Sequence, residues 1–225
     1  MALRGLPSRR FGVFPAVGIV PAETEAMQPA HLDILERSLG RYRKVRVTRP
    51  VQGGHHLHAF VLGLSEQLVL LFQFHDFHPD GCCVVRRKDI EHVRSDEFER
   101  TFERMFRAEG LLDAVGIRAE PPLTDMRALL TYLRDTQTPA IIEAEAFDGE
   151  DEDDAAFQIG YVVDVDEEDA WVRHFDAHGK WEEEDEPVGV DEVTCVQLEA
   201  PYLETFLRHL PPRPALLGGE LDPLD

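Results

Sequence analysis

AAFQIGYVVDVDEEDAWVRHFDAHGKWEEEDEPVGVDEVTCVQLEAPYLETFLRHL, residues Ala155–Leu210, reads as four short strands followed by a helix. The same plan occurs earlier, over His58–Phe106. In each copy an apolar strand ends in a tight acidic turn, Leu64-Ser65-Glu66-Gln67 or Val165-Asp166-Glu167-Glu168. A second apolar strand follows, closed by Phe74 or Phe175, and then a loop with Asp and Gly. An acid next precedes an apolar pair spaced by three, Asp89-Ile90 to Val93 or Glu192-Val193 to Val196. A helix with apolar anchors ends each copy, Phe98, Phe102 and Phe106 or Tyr202, Phe206 and Leu210. Internal repetition is a stronger guide to architecture than any single motif.

Working outward, Pro29–Leu39 has helical spacing at Leu32, Leu35 and Leu39, with Pro29 in the first turn and Gly40 at the cap. In the second copy Thr124 opens a helix running to about Arg134. Ile34 precedes Val45 by eleven residues and Leu130 precedes Ile141 by eleven, so the unit is helix, five strands, helix. Tyr42–Val51 turns Val45 and Val47 inward and Arg43, Lys44, Arg46 and Arg49 outward. Leu57–Gly63 and Leu68–His75 are apolar on both faces, as in a small closed sheet. Ser95 caps a helix whose Phe98, Phe102, Met105 and Phe106 form a stripe against that sheet.

The expected fold class is α+β, a tandem repeat of two small, strongly bent five-stranded antiparallel barrels, each flanked by helices. Its divisions are an N-terminal extension over 1–27, a first repeat over 28–115 and a linker over 116–123 containing Pro121-Pro122. A second, acidic repeat spans 124–210, and a tail follows over 211–225, opened by Pro211-Pro212-Arg213-Pro214.

IGYVVDVDEEDAWVRHFDAHGKWEEE with DEVTCVQLEAPYLETFLRHL, and DGCCVVRRKDIEHV with FERTFERMFRAEGLL, resemble a family of uncharacterised bacterial proteins with duplicated β-units and helices. The resemblance covers roughly residues 28–210 and rests on structural motifs. Five bent strands beside a helix are also similar to SH3-like or Sm-like barrels. That likeness implies a fold and assigns no function.

Charge divides the chain unevenly. Residues 1–139 hold 19 basic against 18 acidic residues, and residues 140–225 hold 4 against 26, a net of −22. The three cysteines, Cys82, Cys83 and Cys195, include a neighbouring pair unsuited to a disulfide with each other, which points to reduced thiols and a cytoplasmic protein. Ser8-Arg9-Arg10-Phe11 before an apolar run is faintly like a twin-arginine leader, but Pro15 interrupts that run. No stretch approaches the ~20 apolar residues of a membrane span.

Nucleotide-binding, hydrolase and paired-cysteine metal motifs are absent, and no cofactor is expected. His55, His56, His58, His75, His78, Cys82 and Cys83 fall close together. With Ser65-Glu66 as a two-residue turn, opposed positions sum to 131, which places His56 across from His75 and Gln73 across from His58. His56, His58, His75 and Cys83 are then weak candidate ligands for zinc or nickel. The plainer reading is a polar strand end without metal. Acids in solvated runs make poor general acids, so an enzyme is not expected.

The favoured function is a non-enzymatic protein-binding or scaffold module. The alternative is an acidic inhibitor or immunity-type protein occupying a basic groove. A nucleic-acid-binding role ranks third, because the second half repels phosphate while only Arg41, Arg43, Lys44, Arg46, Arg49, Arg86, Arg87 and Lys88 attract it. The candidate partner-binding residues are Asp148, Glu150, Asp151, Glu152, Asp153 and Asp154, together with Glu182, Glu183, Glu184 and Asp185. The expected partner is another protein, basic if the acidity serves recognition, and no membrane.

Overall fold

The computed structural model describes residues 27–51, 56–147 and 155–214. Among them, the first half runs α1 (Pro29–Ser38), β1 (Lys44–Thr48), β2 (His56–Leu64), β3 (Leu68–His75), β4 (His78–Arg86), β5 (His92–Arg94) and α2 (Glu97–Ala108). The second half runs α3 (Met126–Thr136), β6 (Ala140–Ala144), β7 (Ala156–Val165), β8 (Asp169–His174), β9 (Glu186–Gly189), β10 (Cys195–Leu198) and α4 (Pro201–His209).

The ten strands form one open antiparallel sheet, ordered β5-β1-β2-β3-β4-β10-β6-β7-β8-β9. This overturns the expected pair of separate five-stranded barrels. Each half keeps the strand order fifth, first, second, third, fourth, but β4 pairs with β10 of the other half, Val85 facing Cys195 and Cys83 facing Gln197. The stretch Gly81–Val85 of β4 is buried throughout, so its free edge has to be covered by a further strand. Gly81 marks the junction. Its φ is +83°, and a Cβ there would stand 2.7 Å from the Leu198 carbonyl oxygen.

The second half is turned over relative to the first. Val45 faces Ala59 and Ala140 faces Gly160, so the structural equivalents are Val45 and Ala140, and with them the fully buried Leu35 and Leu130. The spacing is ten residues in each copy. The eleven-residue correspondence of Ile34 with Leu130 is one residue out, and on a strand one residue exchanges the faces. As a result α2 and α3 share one side of the sheet. There Phe60, Phe74, Val84 and Phe106 join Leu129, Leu133, Ile142, Val172 and Val196 in a core drawn from both halves. On the other side α1 covers Val45, Val61, Leu71 and Val85, while α4 covers Ile141, Ile159 and Phe175. Truncating a leucine as enclosed as Leu35 or Leu130 costs ~2–5 kcal/mol.

Local details shift by single residues. Asp96, not Ser95, caps α2, in a capping box with Glu99, while Ser95 Oγ donates to the Lys44 carbonyl at 3.0 Å. Asp125, not Thr124, caps α3 by accepting the Ala128 N–H at 2.7 Å. The expected α2 stripe narrows to Phe106. Phe98 and Met105 are 52% and 47% exposed, and Phe102 stacks on Phe77. The segment 116–123 fastens onto both halves, through Cys82 Sγ to the Gly116 carbonyl and through Arg118 to Glu199 and Glu204. The expectations for 1–26, the acidic run 148–154 and the tail 215–225 fall outside the described residues.

Candidate partner-binding surface

The histidines do not meet as the sequence suggests. Ser65 N–H bonds back to the Leu68 carbonyl, so the two-residue turn is Glu66-Gln67, one position later than Ser65-Glu66. A bulge between Val61 and Gly63 returns one residue, leaving Ala59 opposite Gln73. His56 therefore pairs with Thr48 on β1, its Nδ1 lying 3.1 Å from Thr48 Oγ1, and His75 pairs with His78 across the next hairpin. His58 Nδ1 lies 3.0 Å from Lys44 Nζ. Burial, and then the Lys44 charge, hold the imidazole below its usual value. Cys83 points away from all of them, into the core beneath α1 with Cys195. Among the described residues no group of three or more His, Cys, Asp or Glu side chains is placed to hold a metal ion.

Lys44 is 1% exposed, with its ammonium 4.9 Å from the Phe102 ring centre. Burial lowers its pKa, against the raising influence of Glu99. Beside it Glu99 is fully buried. Although burial disfavours its charge, bonds from Arg94 and the Asp96 N–H win and hold the carboxyl at about 2.

Where the two halves meet, a polar seam separates the α1 core from the α4 core. Arg49 is 2% exposed and grips Glu145 with two bonds, 2.5 and 2.7 Å. Thr194 Oγ1 lies 2.7 Å from the same carboxylate. Gln197 donates to Glu143 at 2.9 Å, and burial raises the Glu143 carboxyl above its ordinary range. Arg86 donates to the Val190 and Val193 carbonyls, so the first half's guanidinium groups tie down the second half's backbone. A cleft of about 380 Å³ opens here, lined among others by Lys88, Asp89, Phe147, Asp191 and Glu192. Asp89 is 8% exposed, its Oδ2 has no hydrogen-bond partner, and burial raises its pKa.

These contacts spend the basic residues that a nucleic-acid site would need. Lys44 and Arg49 are enclosed, Arg86 holds backbone carbonyls, and Arg87 donates to the Ser65 carbonyl. Arg41, Arg43 and Lys88 remain exposed.

The acids of the second half are distributed differently. Glu167, Glu168, Glu183, Glu184, Asp191 and Glu192 are exposed, and none forms an ion pair among the described residues. Asp185 is taken by Arg173 through a two-pronged ion pair, and Glu186 lies 3.3 Å from His174. Glu182 is half-buried, its N–H bonded to the His174 carbonyl. Within the Glu182–Asp185 candidate, then, Glu183 and Glu184 are free and Asp185 is structural. The turn acids Asp166 and Asp176 accept backbone N–H bonds, which hold their carboxyls below the usual range.

Strand register also relates the described residues on either side of the two acidic stretches. Ala144 faces Ala156, Gly160 faces His174 and Val172 faces Glu186. The residues flanking 148–154 and those flanking the β8–β9 connection thus leave the same end of β6–β9. No family model, curated protein or solved structure matches this chain. No helix among the described residues is long and apolar enough to cross a membrane.

Proposed function

We propose that this protein is a non-catalytic binding protein whose acidic half engages a basic protein partner. The observation that carries this reading is the unequal use of charge within one continuous sheet. The first half's buried cations are committed to the fold, whereas the second half leaves Glu167, Glu168, Glu183, Glu184, Asp191 and Glu192 exposed and unpaired. An excess of one sign on one part of a body steers an oppositely charged partner to that part, and the attraction weakens as salt shortens the screening length to ~8 Å and below. Such a surface requires no cofactor and no perturbed acid–base pair.

The test is affinity capture from the native host with the full chain and a variant carrying Glu183→Gln, Glu184→Gln, Asp191→Asn and Glu192→Gln. A basic protein retained by the wild type at low salt, released at high salt and lost by the variant is the expected result. Recovery of the same protein by both, with the same salt response, rules the reading out.

A further inference from the structure

The β4–β10 junction shows how this fold extends a sheet, and the chain carries a second pair of the same edges, unpaired among the described residues. β4 is the fourth strand of the first half and β10 the fifth of the second. The outermost strands, β5 and β9, are the fifth of the first half and the fourth of the second. A second copy arriving head to tail would therefore offer its β5 to β9 just as β10 is offered to β4. Such a contact joins different surfaces and does not close after two subunits by symmetry.

The register can be carried over residue by residue. Val85 faces Val69 on β3 and Val188 faces Ala170 on β8, which makes Val85 and Val188 equivalent, and likewise Val84 and Pro187. Cys195 and His92 occupy the same place beside β6 and β1, facing Glu143 and Thr48. Repeating the junction sets His92 against Val188, Val93 against Pro187 and Arg94 against Glu186. The register also sets the Arg94 guanidinium, which already holds Glu99 and Asp96 in its own subunit, against the exposed Glu186 carboxylate, with the exposed Asp191 nearby.

One atom opposes it. Val190 N–H bonds to the Glu168 carbonyl on the β8 side, so alternation along the strand turns the backbone of Pro187 toward the open edge. Pro187 has no N–H to give there, where the internal junction places Val84 opposite Val196. We propose that β9 is a latent junction for β5 of a second copy, and that Pro187 holds it shut so that the sheet ends within one molecule.

Sedimentation velocity of the full chain over a wide concentration range tests this. The wild type stays a single monomeric species. Pro187→Val, and Pro187→Ala beside it in case one substitution misfolds, restores the donor and produces dimers and longer species, so the average mass roughly doubles at the highest concentration. Adding Glu186→Lys to either variant sets lysine against Arg94 and returns the mass to that of the monomer. The proposal is overturned if the folded Pro187 variants remain monomeric. It is equally overturned if the wild type assembles in the same way, or if Glu186→Lys leaves the assembly unchanged.

Discussion

Replacing Glu145 with alanine should be among the most damaging single changes in this chain. Arg49 is 2% exposed, and its Nη1 and Nη2 reach Glu145 at 2.5 and 2.7 Å. Its remaining contact is a long 3.5 Å bond to the Thr194 carbonyl, and Nε has no partner. Arginine cannot shed its proton to relieve the loss. Removing the carboxylate therefore leaves an uncompensated guanidinium inside the seam, at a cost of ~3–5 kcal/mol. With a urea dependence of ~2–3 kcal/mol/M for a chain of this size, the midpoint should fall by ~1–2 M. The pair itself is a different quantity. Changing both partners to apolar residues of similar volume, Arg49→Met with Glu145→Leu, removes the desolvation cost along with the attraction and should return stability to within ~1 kcal/mol of the wild type. Urea unfolding followed by tryptophan fluorescence and by circular dichroism measures all the variants. A loss below ~1 kcal/mol for Glu145→Ala, or a double variant as unstable as the sum of the singles, would show that the seam is wet and the reasoning mistaken.

Fragments 27–118 and 119–212 should fail to melt cooperatively when separate, because the division exposes β4 on one side, β10 on the other and the core under α2 and α3 on both; two independent cooperative transitions by calorimetry would contradict this. Stability should also fall with acid in two steps, read from urea midpoints against pH. His58 has a lowered folded pKa, so the unfolded chain takes its proton first, near pH 6.5, and stability is lost as pH drops from there until the folded imidazole also titrates. His58→Gln should flatten that step. The Glu99 carboxyl, held at about 2, contributes stability above its unfolded value of 4.5 that disappears between there and about pH 2. A Glu99→Gln variant with an unchanged slope below pH 4.5 would contradict that step.

Much of the secondary structure was legible because these elements carry strong periodic signals. Leu129 and Leu133, and the doubly apolar runs Leu68–Phe74 and Cys82–Val85, admit few alternatives. Their neighbours were not legible. A strand apolar on both faces is satisfied equally by closing onto its own barrel or by pairing with another half, and the apolar run of β4 by itself does not distinguish the two. The clue lay in Gly81, where only a residue without a side chain admits the Leu198 and Ala200 backbone. The register of β2 against β3 was lost for a smaller reason. Ser65 can sit inside a turn or brace one from outside, and here its hydroxyl accepts the Gln67 and Leu68 N–H groups at 3.1 and 2.9 Å. Sliding the turn by one position separated His56 from His75 and with them the proposed metal ligands.

The seam at Arg49 was readable from the sequence. The alternation that turns Val45 and Val47 inward also turns Arg49 inward, since all three share one parity, so grouping Arg49 with Arg46 broke the rule that placed its neighbours; Arg43 shares that parity too but precedes β1 and is exposed. An arginine forced inward by parity requires a carboxylate that is buried with it, or nearly so. The second half has an acid surplus of 22, but most of its carboxylates lie in turns and runs. Glu143 and Glu145 are the exceptions, since they sit on or just beyond the otherwise apolar strand Ala140–Ala144. Pairing Arg49 with one of them would have implied that β1 and β6 approach at their C-terminal ends, which two separated barrels do not allow. Followed to its end, the parity of one charged residue argues for a fused sheet.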